Sequence, residues 1–296
     1  MATINNPLST LTRNNFKTVA RALTIVENEL DGAVNLLKDL HFNKNVPIIG
    51  ITGPPGAGKS TLVNALISNL LEKDKKIAIL AIDPTSPFNF GSLLGDRIRM
   101  AAHFNHPNVF IRSLATRGSL GGLSAKTIEM ADVLRAAEFD YIFIETVGVG
   151  QSEIEIAGLA DITMVVLVPE SGDEIQNIKS GLMEIADAFI INKADREGAD
   201  IFANNLKKLI GQKHQKLPVF KTVASQNAGM NEIINFIASA KQQTNNRKEL
   251  LLAEKAYRMI QQKRMATIDK KQLQQAITIA LDSTDFNLYN FVDRYF

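Results

Sequence analysis

The chain has 296 residues, 45% of them apolar and 22% charged, with a formal net charge of +2 and no cysteine. That length is enough for one α/β domain of roughly 200 residues with appended elements, and the near-neutral balance excludes a strong pull toward nucleic acid or an anionic membrane. The lack of cysteine excludes disulfides, thiolate metal sites and cysteine nucleophiles, and fits a reducing compartment.

Residues 1–15 carry no basic stretch followed by a long apolar run, so no secretory signal is expected and the expected location is cytoplasmic. No segment approaches the ~18 uninterrupted apolar residues of a membrane span. Phe16, Val19, Ala20, Leu23, Val26, Leu30, Val34 and Leu37 recur at three- and four-residue steps, which predicts one helix over residues 15–40. Val46–Ile51 reads as a buried strand, followed by a Gly-rich turn and a helix from Lys59 to Glu72. Further strands are predicted at Ile77–Ile82, Val109–Ile111, Tyr141–Ile144, Met164–Val168, Ala188–Ile191 and Val219–Val223. Helical stretches fall near 124–138, 173–186, 199–210 and 229–241. Strands without polar alternation are buried on both faces, the mark of a parallel sheet covered by helices. The fold expected is therefore α/β, a doubly wound, mostly parallel sheet over residues 46–241. Residues 1–45 form an N-terminal helical extension in this reading, and the charged, helix-rich residues 242–296 a C-terminal arm.

Gly53-Pro54-Pro55-Gly56-Ala57-Gly58-Lys59-Ser60 matches G-x-x-x-x-G-K-[ST] in full, with an apolar strand entering and a helix leaving. The glycines let backbone N–H groups converge on phosphate oxygens, and the helix that starts here adds its positive end. Lys59 is expected to reach the β- and γ-phosphates, Ser60 to offer its hydroxyl to Mg²⁺, and Thr61 to sit beside the α-phosphate. Asn192-Lys193-Ala194-Asp195 follows a predicted strand and is the N-K-x-D pattern. Guanine presents two donors on one edge, which the carboxylate of Asp195 can accept together; adenine has no such pair. Lys193 is expected along the base face, and Asn192 to tie this loop to its neighbours. Val223, Ala224 and Ser225 occupy the place of a second base-contacting loop. Glu145, at the tip of an apolar strand, is the expected second anchor of the Mg²⁺ shell, and Gly148, three residues on, lets backbone approach the γ-phosphate. Asp83 and Asp96 are further candidate acids, with a turn and a helix cap as their plain structural roles. The four histidines, His41, His103, His106 and His214, form no convincing site and suit surface or packing roles.

The stretches GPPGAGKST at Gly53–Thr61, DPTSPFNFGSLLGD at Asp83–Asp96, RSLATRGSLGGL at Arg112–Leu123, ETVGVGQ at Glu145–Gln151 and SGDEIQNIK at Ser171–Lys179 resemble the MeaB/ArgK family of P-loop GTPases. The resemblance runs from about Arg21 to Gly229. It implies GTP and GDP binding, Mg²⁺-dependent hydrolysis, and an accessory, chaperone role toward an adenosylcobalamin-dependent acyl-CoA mutase, with methylmalonyl-CoA mutase the usual client; the cobalamin belongs to that client. It also implies a homodimer formed through C-terminal helices. Carried over by position, Ser60, Asp83, Asp96 and Glu145 match the family's magnesium and switch residues. Asp173 and Lys179 match a switch segment that responds to the client, and Lys179 could supply positive charge to the transition state; a surface lysine on an amphipathic helix is the competing reading. The chain departs from the family at Glu170-Ser171, where a small pair is usual, and in a shorter C-terminus. Two other functions compete with this one, a GTPase metallochaperone for another metalloenzyme and a small-molecule kinase. Scattered histidines and the lack of cysteine count against the first, and the guanine loop against the second.

Overall fold

The computed structural model describes residues 11, 14–41, 46–83, 100–115, 125–146, 156–170, 182–212, 217–240, 248–282 and 285–295. The chain divides into two compact units, Met1–Leu251 and Leu252–Phe296.

The first unit is built on seven strands, β1 (Ile48–Thr52), β2 (Ile77–Asp83), β3 (Val109–Ala115), β4 (Tyr141–Glu145), β5 (Ile162–Leu167), β6 (Ala188–Ile191) and β7 (Val219–Lys221). They lie in the order β3-β2-β4-β1-β5-β6-β7, and every paired neighbour is parallel. Helices α1 (Phe16–Glu27), α2 (Ala33–Lys38), α3 (Lys59–Leu71), α4 (Ala125–Ala136), α5 (Leu182–Ile185), α6 (Ala199–Gln212) and α7 (Met230–Ala240) cover the sheet.

Both sheet faces are buried, and the two-residue strand period sorts them. Ile49 and Ile51 of β1, Ile77 and Ile79 of β2, and Met164 and Val166 of β5 share a core with Leu62, Leu66 and Leu70 of α3 and Ile233 and Ile237 of α7. Ile48, Ala78, Leu80, Ile142 and Ile144 face the other way, against Val19, Leu23 and Val26 of α1 and Met130 and Leu134 of α4. Val165, Leu167, Phe189 and Ile191 form a third core with Phe202, Leu206 and Ile210 of α6. Phe16, Phe110 and Phe139 add an aromatic triangle with ring centroids 5.6–6.1 Å apart.

Three aspartates fasten the amino ends of the central strands in the same way. Asp140, Asp161 and Asp187 each sit one residue before a strand. Each donates its N–H to the carbonyl of the neighbouring chain, Lys76, Ile48 or Thr163, at 2.8 Å. Each carboxylate then accepts the N–H of that same residue, at 2.8, 2.9 and 2.8 Å respectively. The amino edge is thus pinned by side chains, while the carboxyl edge opens into loops.

The stripe over residues 15–40 is two helices, not one. Glu29 and Gly32 take φ of +51° and +90°, which no α-helix accommodates, and α2 starts on the left-handed Gly32. Asn15 caps α1 through its side chain, which accepts the N–H of Thr18 at 3.1 Å. Strand β3 is longer than its apolar residues suggest, because parallel pairing with β2 carries Arg112 and Ser113 in register with Leu80 and Ala81.

The second unit contains most of α8 (Lys248–Met265) together with α9 (Lys270–Leu281) and α10 (Leu288–Val292). Asp269 caps α9 and Asn287 caps α10. Phe291 is buried between Phe286 and Tyr295, whereas Tyr257, Ile260, Ile279 and Tyr289 are exposed. No described helix is long and apolar enough to cross a membrane.

Candidate functional site

Strand β1 lies at the centre of the sheet between β4 and β5, so the loops leaving its carboxyl end meet those leaving its neighbours. In doubly wound folds that crevice is where ligands bind. The β1–α3 loop is shaped by two glycines with no tolerance for a side chain. A Cβ on Gly53, at φ +136°, would lie 2.1 Å from the Val166 carbonyl oxygen, and one on Gly58, at φ +83°, would lie 2.5 Å from the Asn192 amide nitrogen. Gly58 is also the left-handed cap from which α3 starts. The motif glycines are therefore packing requirements of this crevice as well as turn formers.

Lys59 is buried, and its ammonium donates to the Gly53 carbonyl at 2.8 Å and to the Pro54 carbonyl at 3.0 Å. Ser60, one residue into α3, donates its hydroxyl to Glu145 Oε1 at 2.6 Å, and both residues are buried. A hydroxyl and a carboxylate 85 residues apart are thus brought together at the carboxyl edge. Asp83 ends β2 two residues beyond Ala81, which is level with Glu145 in register. Thr61 is exposed on the first turn of α3, and Pro55 and Gly56 are exposed on the loop between half-buried Pro54 and buried Ala57.

Asn192 is the junction of the site. Its amide nitrogen donates to the Ala57 carbonyl at 2.9 Å, and its Oδ1 accepts the Ala224 N–H and the Thr222 hydroxyl, both at 3.2 Å. One buried amide thereby holds the phosphate-type loop, the N-K-x-D loop and the loop after β7 in one arrangement. Lys193, in the left-handed region at φ +56°, sends its ammonium to the Gly56 carbonyl at 2.8 Å. Asp195 is exposed at the mouth, with its loop tied to β7 by the Ala194 N–H donating to the Thr222 carbonyl at 2.9 Å. Val223 and Ala228 form an antiparallel bridge that closes a tight turn over Ala224–Gln226, which includes Ser225. Arg196 pairs with Glu170 just after β5, and the guanidinium holds that exposed carboxyl below its ordinary range. Asp96, Gly148 and Lys179, and with them Asp173, lie outside the described residues.

His103 is buried, with its Nε2 3.3 Å from the Ser68 hydroxyl, and burial pushes its pKa down. Among the described residues, no three histidine, aspartate or glutamate side chains gather as a metal cluster. Sequence reasoning missed three buried threonines at the crevice: Thr222, and the pair Thr52 and Thr146, whose hydroxyls are 3.0 Å apart. No motif flags them, because a threonine at a strand end looks like any other β-branched residue.

The family model described as methylmalonyl Co-A mutase-associated GTPase MeaB matches residues 19–280. A protein of Pyrococcus horikoshii, named as a GTPase, is 46% identical over 244 residues, covering 79% of this chain and 76% of that protein. A fused isobutyryl-CoA mutase of Geobacillus kaustophilus is 37% identical over 243 residues, covering 75% of this chain and 22% of that much longer protein. In fold, the chain is similar to the crystal structure of a LAO/AO transport system kinase, with a TM-score of 0.69 at 24% identity over 99% of this chain and 96% of the other.

Proposed function

The chain belongs to the MeaB family of methylmalonyl-CoA mutase-associated GTPases, and on that premise we propose that it hydrolyses GTP with Mg²⁺ as an accessory protein of an adenosylcobalamin-dependent acyl-CoA mutase. The observation that carries the nucleotide part is the Asn192 junction, because it gathers at one crevice a phosphate loop and two loops suited to a base. Gly53–Thr61 would cradle the phosphates with Lys59 balancing their charge. Asp195 would accept the two guanine donors, with Lys193 over the base and Val223–Ser225 lending backbone. The hydroxyl of Ser60 and the carboxylate of Glu145, 2.6 Å apart, are hard oxygen donors that suit Mg²⁺, with Asp83 and Asp96 as further acids. The metal would supply charge neutralisation at the phosphates. What the chain itself would do is position: the loop would orient the phosphates, and Gly148 and Lys179, outside the described residues, are proposed as further groups for the γ-phosphate. Switching between GTP and GDP forms would gate cofactor loading of the mutase and protect it.

The client part rests on the family's description and on the relative named as a fused isobutyryl-CoA mutase, 22% of which matches this chain. Exposed Tyr257, Ile260, Ile279 and Tyr289 in the second unit support a homodimer formed there.

The test is phosphate release from GTP, with ATP as control, by the purified chain alone and with a methylmalonyl-CoA or isobutyryl-CoA mutase. Slow GTP-specific turnover that a mutase accelerates is the expected result. Equal turnover of ATP would refute guanine specificity, and GTP turnover indifferent to both mutases would refute the client.

A further inference from the structure

Strands β1 and β4 lie side by side up to the carboxyl edge, where β1 enters the phosphate-type loop and the described residues after β4 end at Thr146. Just there, the Thr146 N–H donates to the Ile51 carbonyl at 3.1 Å, carrying the β1–β4 pairing one residue past the end of β4. The Thr146 hydroxyl then donates to the Thr52 hydroxyl at 3.0 Å. Thr52 is 0% exposed and Thr146 1% exposed, so neither hydroxyl can exchange its partner for solvent. The neighbours on each side are the residues of the chemistry. Gly53, next to Thr52, accepts the Lys59 ammonium and is pressed against the Val166 carbonyl. Glu145, next to Thr146, accepts the Ser60 hydroxyl.

We infer that Thr52 and Thr146 are positioning residues, a buried hydroxyl clamp that fixes Glu145 relative to Lys59 and Ser60. The inference rests on the nucleotide reading above. Strand pairing holds Glu145 level with Ile51 and Ala81; beyond it the backbone bond to Ile51 fixes Thr146 at one point, and the hydroxyl pair adds a second. Without the clamp, the carboxylate loses its set distance from the Ser60 hydroxyl. That loss falls on whatever requires both oxygens at once. It does not fall on base recognition, which is built around Asn192 on the far side of the loop.

The experiment compares the wild-type chain with Thr146→Val, Thr52→Val, the double valine variant and Thr146→Ser. Three quantities are read: the Mg²⁺ concentration giving half-maximal tightening of a fluorescent GDP analogue, the affinity for that analogue without Mg²⁺, and kcat against KM for GTP. Each single valine variant is expected to raise the Mg²⁺ midpoint and lower kcat by about five- to tenfold, the worth of one buried hydrogen bond. KM and metal-free affinity stay within about twofold, since the loop and base contacts are untouched. Thr146→Ser restores wild-type values, because it keeps the hydroxyl. The double variant leaves no orphaned hydroxyl, so it melts closer to wild type than the single variants, yet its Mg²⁺ midpoint stays raised. A Thr146→Val chain that folds and keeps the wild-type Mg²⁺ midpoint and kcat overturns the clamp. So does a double variant whose midpoint recovers along with its melting temperature, since that marks a purely structural pair. A wild-type chain that binds no guanine nucleotide overturns the nucleotide reading first, and the clamp with it.

Discussion

Replacing Asn192 by alanine removes four hydrogen bonds from one buried amide: to the Ala57 carbonyl at 2.9 Å, from the Ala224 N–H and Thr222 hydroxyl at 3.2 Å, and a long one to the Gly58 carbonyl at 3.5 Å. Ala57 and Ala224 are buried, and their backbone groups cannot turn toward water, so each orphan costs about 1–3 kcal/mol. The Thr222 hydroxyl can rotate and loses less. With a small cavity included, the loss comes to about 3–4 kcal/mol, a large share of the 5–15 kcal/mol typical of a whole domain. In a unit of this size that lowers the melting temperature by about 8–12 °C. The assay is thermal unfolding followed by far-ultraviolet circular dichroism, without added nucleotide. Asn192→Asp is the informative companion. It keeps the shape and an oxygen for Ala224 and Thr222, but sets a carboxylate oxygen against the Ala57 carbonyl. It should therefore be at least as damaging as alanine. A loss under about 1 kcal/mol for alanine, or an aspartate variant near wild type, would show that the three loops do not depend on this amide.

A Cβ on Gly50 would meet Ile156 Cγ1 at 2.7 Å and Ala160 Cβ at 3.0 Å; Gly50→Ala should therefore cost about 1–2 kcal/mol. In a double-variant cycle with Ile156→Ala, the combined loss should be less than the sum, and simple additivity would refute the close approach. Burial lowers the His103 pKa, with the nearby charge of His106 helping and a backbone hydrogen bond at Asn64 opposing. The unfolded chain thus binds the proton more readily, so stability is level above about pH 7 and falls as pH drops through the ordinary imidazole range near 6.5. Melting curves from pH 8 to 5 should show His103→Gln losing part of that acid slope; an identical slope would place its origin elsewhere. Asp195→Asn replaces a charged acceptor by an amide, and should cut the preference for GTP over ATP by about 10–100-fold in competition binding. An unchanged ratio would remove Asp195 from base recognition.

The parts of this fold that were legible in the sequence are those where one physical requirement dominates. Runs such as Ile77–Ile82 and Tyr141–Ile144 are apolar because both faces of a parallel strand are covered, and they appear as β2 and β4. The break between α1 and α2 was not legible, because the apolar spacing runs on through it. Leu30 and Val34 lie on the stripe yet are 48% and 57% exposed, and only the backbone at Glu29 and Gly32 reveals the turn. The polar end of β3 was hidden for the opposite reason, since pairing with β2 imposes extended geometry on Arg112 and Ser113 whatever their own preference. At the crevice, spacing singled out as candidates the glycines, Lys59 and the N-K-x-D residues, which the fold brings together. It could not say that Asn192 reaches Ala57, 135 residues away, or that two threonine hydroxyls meet.

Lys59 and Lys193, the two loop lysines described at the crevice, already have partners within the chain. Lys59 gives its protons to two carbonyls of its own loop, Lys193 gives one to a third, and Ser60 gives its hydroxyl to Glu145. An incoming anion therefore takes part in an exchange, and only its advantage over those carbonyls counts toward affinity. A lone phosphate can displace one of these contacts at a time and gains little. On the nucleotide reading proposed above, a chain of phosphates with a base attached would compete for several of them in one event, so these internal bonds would act as a filter for length.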